Sequence, residues 1–390
     1  MHPLESIIHA EIRERGPMTF ARFMELALYH PEWGYYCKEQ AASNIGRAGD
    51  FFTSVSVGPL FGRLLARQFA EWWKSMDRPD PFHIVECGGL NGQLAHDILT
   101  ALQQDFPACW DATDYFLVEP LPRLEQVQRK SPASQHRMNR VDSISKLRGI
   151  NGVIFGNELL DAFPVHRVEI LHSVQDDNEW VEWCVREEKN NLIWSSKSSP
   201  VSLISGLPQN FSGMVEVCPQ ALKWLEDAAH ILHHGYILLL DYGWTDEEYF
   251  QAPRPQGTVR GYRDHRLVEN ILADPGEQDL TAHVRWTPLM EEAKRLGLEV
   301  NEFIQQNRWL IRIMVERRME LTPKEVRQFN TLTHPEMMGT PFRALVLKSR
   351  PRKAHLTTFG WDGLQPGVDL DDSAGLLDLM EQADSGLTLR

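Results

Sequence analysis

The stretch Ile84-Val85-Glu86-Cys87-Gly88-Gly89-Leu90-Asn91-Gly92 runs an apolar strand pattern into a glycine turn and on into a helical pattern. Glycines let a backbone approach a ligand closely, and the unpaired N–H groups at a helix start attract its polar groups. Spacing restricts the ligand. A dinucleotide turn needs glycines where this chain has Gly88, Leu90 and Gln93, so it fails at two of three. A phosphate-binding P-loop needs Gly-Lys-Ser/Thr, which is absent from the turn. A plain strand-to-helix turn also explains the glycines.

A third pattern, acid-x-Gly-x-Gly-x-Gly as at S-adenosylmethionine sites, is met by Glu86, Gly88 and Gly92 and departs at Leu90. One strand–helix unit later, Phe116-Leu117-Val118 ends in Glu119. A carboxylate at that edge can accept hydrogen bonds from both ribose hydroxyls. Asp142 follows the next strand and could hold an adenine amino group. Finally, the apolar run Val153-Ile154-Phe155-Gly156 empties into Asn157, Glu158 and Asp161. Two acids there could grip a guanidinium by paired N–H contacts or an ammonium by charge. Methyl transfer from a sulfonium is an in-line displacement, so a protein chiefly aligns donor, acceptor and a proton sink. Helix capping accounts for Asn157 or Asp161 singly, but not for the cluster. Farther on, the loop-rich 251–285 segment offers Arg260, Tyr262, Asp279, Thr281 and His283 for substrate contact or lid closure, with His283 as a proton acceptor. No metal constellation is visible.

These residues need elements to position them. Strand patterns at 82–87, 115–118, 135–141, 152–155 and 236–240 alternate with helical ones at 93–102, 122–129 and 221–232, which implies parallel βαβ units in a doubly wound α/β sheet. Helical periodicity at 3–15, 20–29 and 59–73 precedes them, the last with an aromatic stripe that reads as core. Segments 165–171, 180–186 and 192–195 read as an added antiparallel group. A helix at 286–296 leads to late strands at 299–305, 309–315 and 342–348, the first two open to continuing as helix. The expected domains are a helical cap with a cofactor-side loop at 1–76, a core at 77–349 and an acidic, flexible tail at 350–390 with a short helix near 376–380.

A net charge of −14 argues against a nucleic-acid partner, which would demand clustered Lys and Arg. Five cysteines without a C-x-x-C read as reduced structural thiols. No run of 18 apolar residues occurs, and residues 1–16 lack signal or transit composition. The expected location is the cytoplasm, without membrane contact.

The stretches GPMTFARFMELALYHPEWGYY, GDFFTS, VECGGLNGQLA, FGNELLDAFPVHRV, LLLDYG and PGEQDLTAHV, in that order, closely resemble the MidA family. The resemblance spans roughly residues 10–350. It implies a Rossmann-like class I methyltransferase core with an N-terminal helical cap and inserted β and loop segments. It further implies S-adenosyl-L-methionine as cofactor, with donor contacts at Gly88, Gly92, Glu119, Asn157 and Glu158. Gly49-Asp50 and Thr53-Ser54 match the family's loop close to the cofactor. Because the family includes a mitochondrial protein arginine methyltransferase, it implies arginine methylation of a protein substrate. Glu158 and Asp161 would orient the guanidinium and help remove its proton. Small-molecule methylation and a non-catalytic assembly role with a degenerate donor site stay open, as does a homodimer.

Overall fold

In a computed structural model, which describes residues 2–38, 53–130, 132, 136, 138–171, 179–264, 266–316, 319–339 and 341–349, the core is a twisted sheet. Its main path comprises β1 (Phe82–Cys87), β2 (Thr113–Val118), β3 (Met138–Val141), β4 (Ile150–Asn157), β5 (Leu232–Trp244), β6 (Leu298–Gln305) and β7 (Phe342–Ser349), in the order β3-β2-β1-β4-β5-β7-β6. Strands β1 to β5 are parallel, and β7 runs antiparallel between β5 and β6. The chain reverses its direction of travel across the sheet between β1 and β4, which opens a crevice at their carboxyl ends where ligands settle.

The apolar runs explain why these strands lie in the middle. Val153, Ile154 and Phe155 in β4 and Ile237, Leu238, Leu239 and Leu240 in β5 are buried on successive, opposite faces. Strands with no solvent face need helices on both sides. On one side lie α3 (Leu60–Ser75), α4 (Gln93–Asp105) and α8 (Gln306–Glu316), with the expected aromatic stripe in contact with the sheet. Phe69 packs 5.2 Å from the Phe155 ring and Trp72 stacks 4.5 Å from Tyr236, measured between centroids. On the other side α6 (Pro219–Ile231) and α7 (Trp286–Arg295) cover Ile154, Ile237, Leu239 and Leu345.

The amino-terminal helices α1 (Pro3–Arg15) and α2 (Phe20–Tyr29) join the inserted elements in a separate core. Met18–Thr19 pairs antiparallel with the inserted strand Glu179–Glu188. Phe20, Phe23 and Met24 pack with Val185, Val259 and Leu280. The antiparallel group continues through His166–Leu171, Asn191–Ser198 and Met214–Val217. A three-stranded sheet of Arg260–Arg263, Arg266–Val268 and Asp279–Thr281 occupies the segment read as a loop-rich lid.

Several segments differ from the sequence reading. Residues 309–315 are helix, within α8, because Trp309, Leu310 and Ile313 recur on one buried face. The helix α9 (Pro323–Thr333) has a Thr322–Glu325 capping box that the reading passed over. Met214–Val217 is a strand whose burial comes from its partner His166–Leu171 rather than from its own short pattern. The tail 350–390, with its expected helix at 376–380, lies outside the described residues.

Phe155 is fully buried between β1, β5 and the α3 stripe. Phe155→Ala is expected to lower unfolding stability by about 3–5 kcal/mol in urea titration. A loss below about 1 kcal/mol would contradict this packing.

Candidate active site

At the carboxyl end of β1 the chain turns sharply. Gly88 has φ +75°, Leu90 φ +43° and Gly92 φ +77°, and the Gly92 N–H closes the turn on Gly89 O at 2.7 Å before α4 begins. A Cβ on Gly89 would collide with Leu117 Cδ1 and crowd the Glu86 carboxyl, so the turn lies directly on β1 and β2. Glu86 is buried there and accepts a hydrogen bond from the Tyr115 hydroxyl at 2.6 Å. Burial pushes its pKa up to about 7, with a smaller contribution from Glu119 and Asp97.

Next to this turn lies a cavity of about 140 Å³. The sequence-predicted residues Thr53, Glu86, Gly88, Asn157, Glu158 and Asp161 line it together. Glu158 has φ +50°, and its N–H donates to Leu240 O at 2.8 Å, which turns the side chain over the end of β4. Its Oε1 accepts from the Ser54 N–H at 2.9 Å and from Asn157 Nδ2 at 3.2 Å. Ser54 therefore acts on the site through Glu158. The cavity is also lined by Tyr36, Asp279 and Thr281. The Tyr36 hydroxyl donates to Asp279 Oδ1 at 2.8 Å.

Beneath the cavity floor, Asp241 holds the 158–162 loop. Its Oδ2 accepts from the N–H groups of Leu160 at 2.9 Å and Asp161 at 3.2 Å, and its Oδ1 from that of Tyr242 at 2.9 Å. Four carboxyl groups thus share one poorly hydrated region. Desolvation raises the Glu158 pKa to about 8 and the Asp161 pKa to about 6, and lifts Asp241 well above the carboxylate range. Like charges add to the shifts of Glu158 and Asp241. Asn157 Oδ1 and Asp161 Oδ1 are buried without a hydrogen-bond partner among the described residues. Unpaired buried acceptors match a ligand rich in N–H donors and positive charge.

The other expected residues fall elsewhere. Glu119, at the end of β2, accepts from the Leu121 N–H at 3.2 Å and from the Leu90 N–H, and its pKa is pushed up to about 7 by burial. It lines a neighbouring groove with Gln128, Arg140 and Asp142. Asp142 is exposed and paired with Lys146 at 2.6 Å. Gly92 shapes the turn without lining the cavity. Asp50 lies outside the described residues. His283 is not brought to this cavity. Its ring stacks 4.1 Å from Trp244 and lines a separate recess with Glu216, Cys218 and Arg285. Burial, with Arg260 and Arg254 nearby, lowers its pKa to about 4, so it is a poor match for the proton acceptor expected of it. Of the residues that sequence reasoning missed, Tyr36 stands in the quoted HPEWGYY stretch and Asp241 in LLLDYG, but nothing local tells that they face the acids.

A sheet of this order, with a glycine turn after β1 and carboxylates after β2 and β4, defines a class I methyltransferase. The sequence model of the S-adenosyl-L-methionine-dependent methyltransferase family matches residues 64–304, and the chain belongs to that family. S-Adenosyl-L-methionine is its cofactor. The glycine turn, the Glu119 carboxyl at the end of β2 and the orphaned acceptors beside the cavity suit that group.

Among curated relatives, the mitochondrial protein arginine methyltransferase NDUFAF7 of Xenopus laevis is 27% identical, covering 85% of this chain and 81% of its own length. The human protein of the same name is 26% identical over 88% of this chain and 82% of its own. A structure from Burkholderia thailandensis, solved with S-adenosyl-homocysteine bound, matches with a TM-score of 0.78 at 26% identity, covering 88% and 91% of the two chains. These names correct the expected cytoplasmic location, since the relatives are mitochondrial proteins. That expectation rested on the make-up of residues 1–16 and on reduced thiols, and neither property decides a compartment. All five cysteines are free, and no helix among the described residues is long and apolar enough to cross a membrane.

The carboxyl shifts make a signed prediction. A group whose folded pKa lies above its unfolded value contributes stability below the unfolded value and loses it as pH rises through the folded one. Glu158, rising from 4.5 to about 8, therefore weakens the ligand-free fold increasingly between pH 4.5 and 8. Glu158→Gln keeps an acceptor for the Ser54 N–H and cannot ionise. Its Tm advantage over the native protein is expected to be larger at pH 8.5 than at pH 5.5 in thermal scans at fixed ionic strength. An equal difference at both pH values would refute the shift.

Proposed function

We propose that this methyltransferase modifies the guanidinium of an arginine side chain in a protein partner. The observation that carries the reading is that Glu158, Asp161 and Asp279 line the same cavity as the glycine turn. A neutral acceptor gives no reason to gather three carboxyl groups in one place, two of them with a pKa raised by desolvation. A planar guanidinium, with five N–H donors and a permanent charge, answers all of them. The names of the curated relatives support the same acceptor.

When bound, S-adenosyl-L-methionine supplies an electrophilic methyl group that leaves sulfur in line with the incoming nitrogen. Gly88 and Gly89 give the donor a wall without side chains, and Glu119 offers its carboxylate to the ribose. Asn157 Oδ1 supplies an acceptor for the donor's ammonium group. Glu158 and Asp161 orient the guanidinium by charge-assisted hydrogen bonds. As the nitrogen lone pair forms the new N–C bond, the S–C bonding pair stays on sulfur and one nitrogen proton passes to a carboxylate. Glu158 suits that last duty, since its pKa in the empty site is about 8. Asp241 keeps the acid loop in place and touches no reactant. Tyr36 and Asp279 bring the amino-terminal and inserted segments to the acceptor side, so the helical cap, the core and the 251–285 segment each supply one part of the site. His283 and a homodimer have no part in this mechanism.

Methyl-labelled S-adenosyl-L-methionine and a mitochondrial protein extract test the reading. Acid hydrolysis of the labelled protein is expected to release methylated arginine. Label confined to lysine, histidine or small molecules would overturn it. Glu158→Gln is expected to lower transfer by about 100-fold or more, while S-adenosylhomocysteine affinity stays within about threefold of native. Unchanged turnover would remove Glu158 from the mechanism.

A further inference from the structure

We propose that Gln128, on the helix α5 (Pro122–Lys130), is a positioning residue for the donor loop, holding Leu90 in a backbone conformation that leucine otherwise avoids. This deepens the reading above and rests on the turn from Gly88 to Gly92 carrying the donor.

Leu90 occupies the place where the S-adenosylmethionine pattern has a glycine, and its φ of +43° shows why glycine suits that place. The left-handed region brings the Cβ of an L-residue against its own carbonyl, and glycine alone visits it freely. A leucine there needs neighbours that fix its two peptide groups. The Leu90 N–H donates to the Glu119 carboxylate. The Leu90 carbonyl accepts from Gln128 Nε2 at 2.7 Å.

Gln128 is suited to this task by its own surroundings. It is 1% exposed, so water is not at hand to replace its amide. Its Oε1 accepts from Arg140 Nε at 3.1 Å, and a guanidinium can only donate, which fixes the orientation of the amide with its N–H toward Leu90. A directed line of hydrogen bonds therefore runs from Arg140 on β3, through Gln128 and Leu90, to Glu119. Leu90 lines the cavity that contains Asn157 and Glu158, while Glu119, Gln128 and Arg140 line the neighbouring groove. Rotating the two peptide groups that flank Leu90 would move the wall of one and release the acid of the other. Gln128 thus acts on donor binding without reaching the donor.

Calorimetric titration of the full chain with S-adenosylhomocysteine, in a double-mutant cycle with Leu90→Gly, tests this. Gln128→Glu keeps the volume and the acceptor for Arg140 but removes the N–H to Leu90, and Gln128→Leu removes both. Each is expected to raise Kd about tenfold, the cost of one buried unmet carbonyl. In the Leu90→Gly background the same changes are expected to shift Kd by less than about threefold, because glycine holds the turn unaided. Equal losses in both backgrounds, or none in either, would overturn the proposal. Gly88→Val and Glu119→Ala separate the underlying reading: if neither weakens binding, the donor site itself lies elsewhere.

Discussion

Asp241 is the point on which the carboxyl edge of the sheet depends. One carboxylate at the end of β5 gathers three backbone N–H groups, two from the loop after β4 and one from its own strand. Those contacts tie the Leu160–Asp161 segment to the neighbouring strand and so determine where Glu158 and Asp161 stand. The Asp161 carbonyl then accepts from the Ala282 N–H at 2.8 Å, which anchors the inserted segment to the same loop. The Tyr29 hydroxyl reaches Ala162 O at 2.9 Å and ties in the amino-terminal cap. Three other parts of the chain, β5, the inserted segment and the cap, are located by one loop.

This explains an arrangement that stability alone would not select. Carboxyl groups removed from water and from counter-charges weaken a fold, and their elevated pKa values report that cost. The surrounding structure holds them nonetheless: the core strands are continuous apolar runs, and both faces of the sheet are covered. A rigid sheet can support a locally unfavourable edge, and such an edge is complementary to a cation before that cation arrives.

The sequence disclosed what is local and left out what depends on assembly. Strand β1 is read with its observed bounds because a short apolar run ends in glycines, and helices α1 and α2 because Pro3, Thr19 and their apolar spacing mark their starts. Glu119, Asn157, Glu158 and Asp161 stand at strand ends, and strand ends of a doubly wound sheet converge on one edge whatever the loops do. Tyr36 and Asp279 meet only because α2 and the inserted strands share a core, a fact carried by packing across 243 positions. His283 shows the reverse error. Its residue type suggested proton transfer, but strand pairing and the Trp244 ring turn it into another recess. A side chain's facing within an insertion is set by partners that no short motif reveals.

Leu90 joins these strands of argument. Read in sequence, it is a defect in a glycine pattern and favours a donor site that has lapsed. In the fold, the peptide groups on either side of it are both bonded, one to a carboxylate that the donor is expected to use and the other to a buried amide whose orientation a guanidinium sets. A lapsed site would have no reason to retain that support, and relaxation of Leu90 out of the left-handed region would relieve it. The strain persists because neighbouring residues impose it, as strained backbone does at positions where function dictates the geometry. The departure from the pattern is thus compensated within the same site, and it argues for a working donor turn rather than against one.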